Sequence, residues 1–434
     1  MQLRKQFCAS VLPSMLAQLL NSCFIIVDGF FIGQNMGDVG LAAINVAWPI
    51  TALFQALSLC IGVGAAVRIA TARGQNQMQE VAQVRGNAIS LLTLTALVCS
   101  VVLYHASPVL LPFMGANEEI YPMALEYIQV VCALAVGQMV STGLLAVLRS
   151  MGSAVAAMAI TVAGLFSNIL LDWWMIDVKQ WGLAGAALAT AVSQIGCAVV
   201  CLLLVVTHPS VKFSLSSLKM DKTTVERMLH FGIAPMGLSL STSLIMLVTN
   251  LQAVRYGGTQ GVAVYAVLSY VLGAVIPLIT GVGDGTQPLL SFAKGAGQPQ
   301  TVRTLCRWGL YLAVGTALLG GVVSWQGRYL LPALFGASEW AIAQGADCMW
   351  TLVLAYPFMA AAHFFSSYFT AVSQPIASGI LSYGEPLVAQ PFWLLVAPLF
   401  WHLEGVWIAY PAAVITMALV AAVLYYKSEK QGVE

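Results

Sequence analysis

Four residues in the first half of this chain have the types and spacing to hold a small cation or a proton: Asp28, Asn168, Asp172 and Thr190. Asp28 stands in Phe24-Ile25-Ile26-Val27-Asp28-Gly29-Phe30-Phe31-Ile32-Gly33, apolar on both sides. Asn168 and Asp172 are four residues apart in another apolar run, so on a helix they share a face. Thr190 lies in the run that follows. Two carboxylates, an amide oxygen and a hydroxyl can coordinate a sodium ion. They can equally share a proton, because two close carboxylates in a low dielectric push one of them to stay protonated. The alternative is structural: Asp172 caps its helix at the membrane interface and a hydroxyl satisfies Asp28. The apolar flanks of Asp28 make that alternative hardest to sustain there.

Other candidates are less specific. Asp284 and Gln287, in Gly283-Asp284-Gly285-Thr286-Gln287-Pro288, and Glu385, in Gly384-Glu385-Pro386, can line the second half of a cavity, as can Asn250. His363 sits among aromatics in an apolar run, where it can accept a proton or simply pack with a hydrogen bond. Glu126 and Asp347 each fall near the start of a run, where a carboxylate also suits the positive end of a helix dipole. The 17 Met, 11 Trp, 14 Tyr and 17 Phe could form an adaptable surface for varied apolar ligands, although aromatics also serve interfacial belts. The nine cysteines make no CxxC pair, so neither a disulfide framework nor a zinc site is expected.

The elements that position these residues follow from composition. Hydrophobic residues make up 59% of the 434 and charged residues 8%. The 18 Lys+Arg and 17 Asp+Glu are too few to cover a soluble surface of this size, so the chain must be solvated by lipid. Twelve apolar runs are long enough to cross a bilayer, near 8–32, 44–69, 87–107, 122–147, 154–176, 183–207, 229–254, 261–291, 305–325, 341–370, 376–399 and 405–426. Backbone polar groups find no water in hydrocarbon, so these runs must be helices. Arg4 and Lys5 before the first run mimic a signal peptide, but Asp28 and the missing cleavage site indicate an uncleaved span. With both termini cytoplasmic, only Lys179, Arg255 and Arg328 of the basic residues fall outside, as the positive-inside rule requires. In that orientation Asp28, Asn168, Asp172 and Thr190 share one depth, in the outer part of the first half. No basic stripe offers a nucleic-acid footprint, and no GxxxxGK[ST] run offers a nucleotide site.

The chain also repeats. Its one long polar connection, 208–228, divides six spans from six, giving lobes 1–207 and 229–434. Gly62-Val63-Gly64 matches Gly281-Val282-Gly283, Ala72-Arg73-Gly74 matches Ala293-Lys294-Gly295, and Leu110-Leu111-Pro112 matches Leu330-Leu331-Pro332. Trp181, Leu183, Gly185 and Ala189 match Trp401, Leu403, Gly405 and Ala409, while Pro13 and Asp28 fall on Pro235 and Asn250. Six spans per half make the repeat parallel, which places a substrate path between the halves.

The ordered set of motifs resembles the multidrug and toxic compound extrusion (MATE) transporters, of the DinF-like or MepA-like type. It comprises Pro13 before Val27-Asp28-Gly29-Phe30-Phe31-Ile32-Gly33, Gly40-Leu41-Ala42-Ala43, Leu148-Arg149-Ser150-Met151-Gly152, Asn168-Ile169-Leu170-Leu171-Asp172, the run from Gly182 to Thr190, and Gly285-Thr286-Gln287-Pro288. The resemblance implies two six-helix lobes and exchange of H⁺ or Na⁺ for a small organic cargo. It also implies an ion site at Asp28, Asn168, Asp172 and Thr190, with the first helix bending at Pro13. Three positions depart from the family pattern. Asp284 stands where an uncharged residue, often Gln, is usual, and Ser373 replaces a common Gly. Asn250 and Arg255 leave span seven without the acid that NorM-like members use, so the resemblance carries no C-lobe coupling of that kind.

The expectation is therefore an all-α polytopic membrane protein with twelve helices in two six-helix lobes related by a parallel pseudo-twofold. It exports a small amphipathic, cationic organic molecule across the cell membrane, driven by H⁺ or Na⁺, as a monomer without cofactor or nucleotide. A flippase for lipid-linked saccharides is the alternative within transport, although the charges within spans are mostly acidic and poorly suited to pyrophosphate. A membrane sensor or enzyme would need a clustered catalytic set or a soluble domain, and neither is visible.

Overall fold

A computed structural model describes residues 2–114, 116, 118, 120–209, 214–330 and 339–430; at 21–30, 241–244 and 250, among others, only the backbone is described. The described residues are almost wholly helical. In chain order the elements are α1 (Gln2–Gly74), α2 (Met78–Phe113), α3 (Tyr121–Ser150) and α4 (Ala154–Asp172), which continues into a π-helical segment (Trp173–Val178). After α5 (Gly182–Val206) and a 3₁₀ turn (Leu215–Leu218) come α6 (Lys222–Gly295), α7 (Pro299–Gln326) and α8 (Glu339–Ala371). The chain ends with α9 (Pro375–Gly384), a second π-helical segment (Glu385–Ala389) and α10 (Gln390–Lys430).

Nine helices among the described residues are long and apolar enough to cross a membrane. Predicted spans three to six and nine to ten coincide with single helices. Spans eleven and twelve lie in one 54-residue helical run, which breaks at His402 (φ 48°, ψ −126°), midway between them. Spans one and seven pass through the segments whose side chains lie outside the description. The connections that the sequence reading places at 33–43 and 255–260 lie within backbone described as helical, yet a Cβ at Gly261 would strike the carbonyl of Ala253, eight residues back, an approach that a straight helix does not allow, so the chain reverses direction between Ala253 and Gly261. The 73 residues of α1 and the 74 of α6 each hold two predicted spans, since one crossing of about 30 Å takes about 20 residues.

The repeat is written in the backbone more clearly than in residue identity. Residues with positive φ pair across the halves: Asn76 (59°) with Gly297 (65°), Gly152 (93°) with Ser373 (63°), and Gly182 (59°) with His402 (48°). The first four end their helices by one motif. Gln77 N donates to Ala72 O, Ser153 N to Leu148 O, Gln298 N to Ala293 O and Gln374 N to Phe369 O, at 2.8–3.1 Å. Each is the six-to-one bond that satisfies a helix's last carbonyls when the next residue turns left-handed. Helix starts are marked as well, by prolines in the first turn of α3, α7 and α9.

By contacts the chain divides into two compact units, residues 20–239 and residues 1–19 with 240–434. These boundaries differ from 207 and 229. Helix openings are drawn in by glycine-mediated backbone approach. In the first unit a Cβ at Gly64 would strike the Met228 carbonyl, and one at Gly232 the Cys60 carbonyl. In the second, Gly281 and Gly285 admit the backbones of Met15 and Val11, and Ser10 Oγ donates to Gly285 O at 2.7 Å. The polar connection is fastened to the first unit. Asn87 Nδ2 donates to Ser217 O (3.2 Å) and Lys219 O (3.3 Å), while its Oδ1 accepts from Asp221 N (2.7 Å). Asp221 caps α6, its Oδ2 accepting from the amide and hydroxyl of Thr224 at 2.8 and 2.7 Å. Those two bonds hold its carboxyl below the usual range, the hydroxyl first.

Candidate functional site: a buried polar cluster at the end of α4

Three of the four first-half candidates come together in the unit 20–239. Asn168 and Asp172 project from the last turn of α4 and are fully buried, while half-buried Thr190 approaches from α5. Asn168 Nδ2 donates to Thr190 Oγ1 at 3.4 Å, near the outer limit for a hydrogen bond. The Asn168 Oδ1 atom is buried and accepts nothing. Asp172 is the residue at which α4 gives way to the π-helical segment. A π segment holds one residue more per turn and re-aims the side chains on either side; such segments concentrate at functional sites. The backbone of Asp28 is helical, and its side chain lies outside the described residues. An amide oxygen with spare acceptor capacity, a buried carboxylate and a hydroxyl are hard oxygen donors suited to a sodium ion or a proton.

The remaining candidates separate from this cluster. Pro13 is buried within the helical opening of α1, in the other unit. Asp284, half-buried on α6, accepts a 2.6 Å hydrogen bond from Gln18 Nε2, also on α1, and Gln287 lies one turn on, 8% exposed. His363 on α8 and Glu385 pair with each other, Nε2 to Oε2 at 3.5 Å, Glu385 buried and His363 partly buried. The side chain of Asn250 lies outside the described residues. Among the described residues no group of three or more His, Cys, Asp or Glu could hold a metal ion. Sequence reasoning missed Gln18, because its partner lies 266 positions away. A surface concavity of about 480 Å³ in the first unit, lined by Arg68, Thr223, Glu226, Arg227, His230 and Phe231, does not include Asn168 or Asp172.

The MatE family profile matches residues 13–174 and 235–383, well over half of the chain. The chain belongs to the MatE family. Among curated proteins it is 25% identical over 67% of its length to an uncharacterized transporter, YisQ, of Bacillus subtilis, 65% of which is covered. It is 24% identical over 65% of its length to the multidrug export protein MepA of Staphylococcus aureus, 62% of which is covered. It is 28% identical over 44% of its length to a probable multidrug resistance protein, NorM, of Thermotoga maritima, 42% of which is covered. The chain thus matches less than two thirds of these relatives' own lengths. Solved structures agree over nearly the whole chain. An outward-facing multidrug resistance MATE family transporter superposes with a TM-score of 0.93 at 23% identity, covering 99% of this chain and 96% of that one. A MOP superfamily transporter from Pyrococcus furiosus superposes with a TM-score of 0.92 at the same identity and coverage. The all-helical fold of twelve membrane-spanning helices in two six-helix halves is that of these transporters.

Proposed function

We propose that this protein is a secondary active exporter that exchanges H⁺ or Na⁺ for a small amphipathic organic cation across the cell membrane. It acts as a monomer with both termini cytoplasmic and without cofactor or nucleotide. The observation that carries this reading is the buried pair Asn168 and Asp172 at the end of α4, with half-buried Thr190 of α5 bonded to Asn168. Ionisable groups within a span are costly and are retained where a path or relay needs them. Asp28 completes the set by its position in the MatE pattern. The names of MepA and NorM support multidrug export as the class of activity.

In the proposed cycle, the outward-open state takes up the ion at Asp28 and Asp172, which lowers affinity for the cargo and releases it. A ligand shifts conformations only by its differential affinity for them, so ion and cargo must compete or reshape one pocket. The test is efflux of ethidium from proteoliposomes with proton and sodium gradients imposed separately, for wild type, Asp28→Asn and Asp172→Asn. Wild-type efflux under one gradient, lost in both variants while they remain folded, is expected. Undiminished gradient-driven efflux in the variants would overturn the assignment of the site. Absence of wild-type efflux under either gradient would overturn export of ethidium-like cations and turn the search to lipid-linked saccharides.

A further inference from the structure

The opening of α6 crosses the second predicted span backbone to backbone. A Cβ at Gly64 would strike the Met228 carbonyl, and one at Gly232 the Cys60 carbonyl, so no side chain separates the two helices there. Both segments belong to the unit 20–239. Arg68 stands one turn beyond Gly64, and Arg227 stands next to Met228. The close crossing thus brings two guanidinium groups to the wall of one concavity of about 480 Å³, which Thr223, Glu226, His230 and Phe231 complete. The two are near enough to act on each other electrostatically.

The carboxylates around this wall are committed elsewhere. Arg68 is partly buried and pairs with Glu80 of α2. Glu226, the one acid on the wall, lies 3.8 Å from Lys222 Nζ. Asp221 gives an oxygen to the amide and hydroxyl of Thr224. Arg227 is exposed and forms no ion pair among the described residues. The first turn of α6, which supplies Thr223, adds the positive end of a helix dipole.

The positive-inside rule accounts for arginines at this end of the spans, but any position in the connections would satisfy it. It does not account for two of them on one wall, where like charges repel. Such a wall is unfavourable by itself and favourable around an anion. Guanidinium forks match the oxygens of a phosphate group two at a time, and Thr223 and His230 supply further donors. Phe231, one turn deeper along α6 than Arg227 and packed against Val63, Ala66, Val67 and Ala146, gives the concavity an apolar side. Charge at the mouth with an aromatic ring below it is the arrangement that a lipid headgroup presents in reverse.

We propose that this concavity binds a phosphate group through Arg68 and Arg227, and that the group is the headgroup phosphate of an anionic phospholipid in the adjoining leaflet. Only the identity of that leaflet, the cytoplasmic one, rests on the orientation proposed above. The bound phosphate offsets the repulsion between the arginines and so stabilises the crossing of α6 with the second span.

The test is thermal unfolding of the purified protein in neutral detergent, titrated with phosphatidylglycerol or phosphatidylcholine, with native mass spectrometry counting the bound lipid. Wild type is expected to gain stability with phosphatidylglycerol and not with phosphatidylcholine. Arg227→Gln breaks no ion pair; it is expected to bind phosphatidylglycerol about tenfold more weakly and, without lipid, to be no less stable than wild type. Glu226→Gln removes the negative charge from the wall and is expected to bind more tightly. Lys427→Gln, which removes an exposed charge from the last turn of α10, is the control for diffuse attraction. Equal binding by wild type and Arg227→Gln would overturn the site, as would an equal loss in Lys427→Gln or indifference of wild type to both lipid and phosphate. A response to inorganic phosphate, against chloride at equal ionic strength, as large as that to phosphatidylglycerol would keep the site and overturn the lipid as its source. None of these readouts involves transport, so ethidium efflux can fail while the site stands.

Discussion

Asn168→Leu separates a residue kept for function from one kept for structure. The Asn168 carbonyl oxygen is buried without a hydrogen-bond partner from the protein, a condition that costs about 1–3 kcal/mol. Its amide makes one bond, to Thr190 at 3.4 Å, and a bond that long contributes at most about 1 kcal/mol. Leucine has a similar volume and no polar atoms. The substitution is therefore expected to leave the ion-free protein unchanged or to stabilise it by up to about 2 kcal/mol, a factor of up to about 30 in the unfolding equilibrium. The ion-bound protein behaves in the opposite way. An ion that binds only the native state adds about 2.7 kcal/mol at a hundred times its dissociation constant, and the variant loses that increment. The assay is unfolding in detergent with sodium chloride against choline chloride at equal ionic strength, repeated at several pH values. Stabilisation of wild type by sodium, absent in Asn168→Leu, identifies sodium as the ion; stabilisation by acid alone identifies the proton. A variant that is destabilised by more than about 1 kcal/mol without ion, yet responds to ion as wild type does, would refute the reasoning.

Two further outcomes follow from the backbone and from the polar connection. Ser373 is exposed and left-handed (φ 63°) where its repeat partner is Gly152; a residue with a Cβ pays roughly 1–2 kcal/mol there, and glycine gives back part of that in unfolded-chain entropy. Ser373→Gly should therefore stabilise by about 0.5–1 kcal/mol and Gly152→Ala should destabilise by about 1–2 kcal/mol, although a Cβ at Gly152 would meet nothing closer than Arg73 at 3.6 Å; denaturant titration of both variants checks the pair, and equal stabilities would remove the argument. His208, in the connection after α5, sits 3.2 Å from Ser153 Oγ and is held below its usual pKa by partial burial, then by Arg73 and Arg85. The native state therefore resists a proton that the unfolded chain accepts, so stability is expected to fall as pH drops below 6.5 towards the native value, and to be independent of this group above it. His208→Gln should flatten that slope in thermal unfolding at pH steps across this range.

The parts of this molecule that were legible in its sequence are those set by local chemistry. Apolar runs between prolines and glycines marked most helices to within a few residues, and Asn168, Asp172 and Thr190 declared themselves as polar residues where lipid forbids idle ones. What was not legible depends on geometry with no local signal. The bond from Gln18 to Asp284 needs a partner far along the chain. The π segments arise from one extra residue in a helix, which no periodicity over six residues reveals. The repeat supplies the missing signal, provided that it is read as a repeated backbone rather than as repeated residues. Asn76 and Gly297, Gly152 and Ser373, and Gly182 and His402 share their unusual φ while differing in type, so the frame has been kept as side chains diverged.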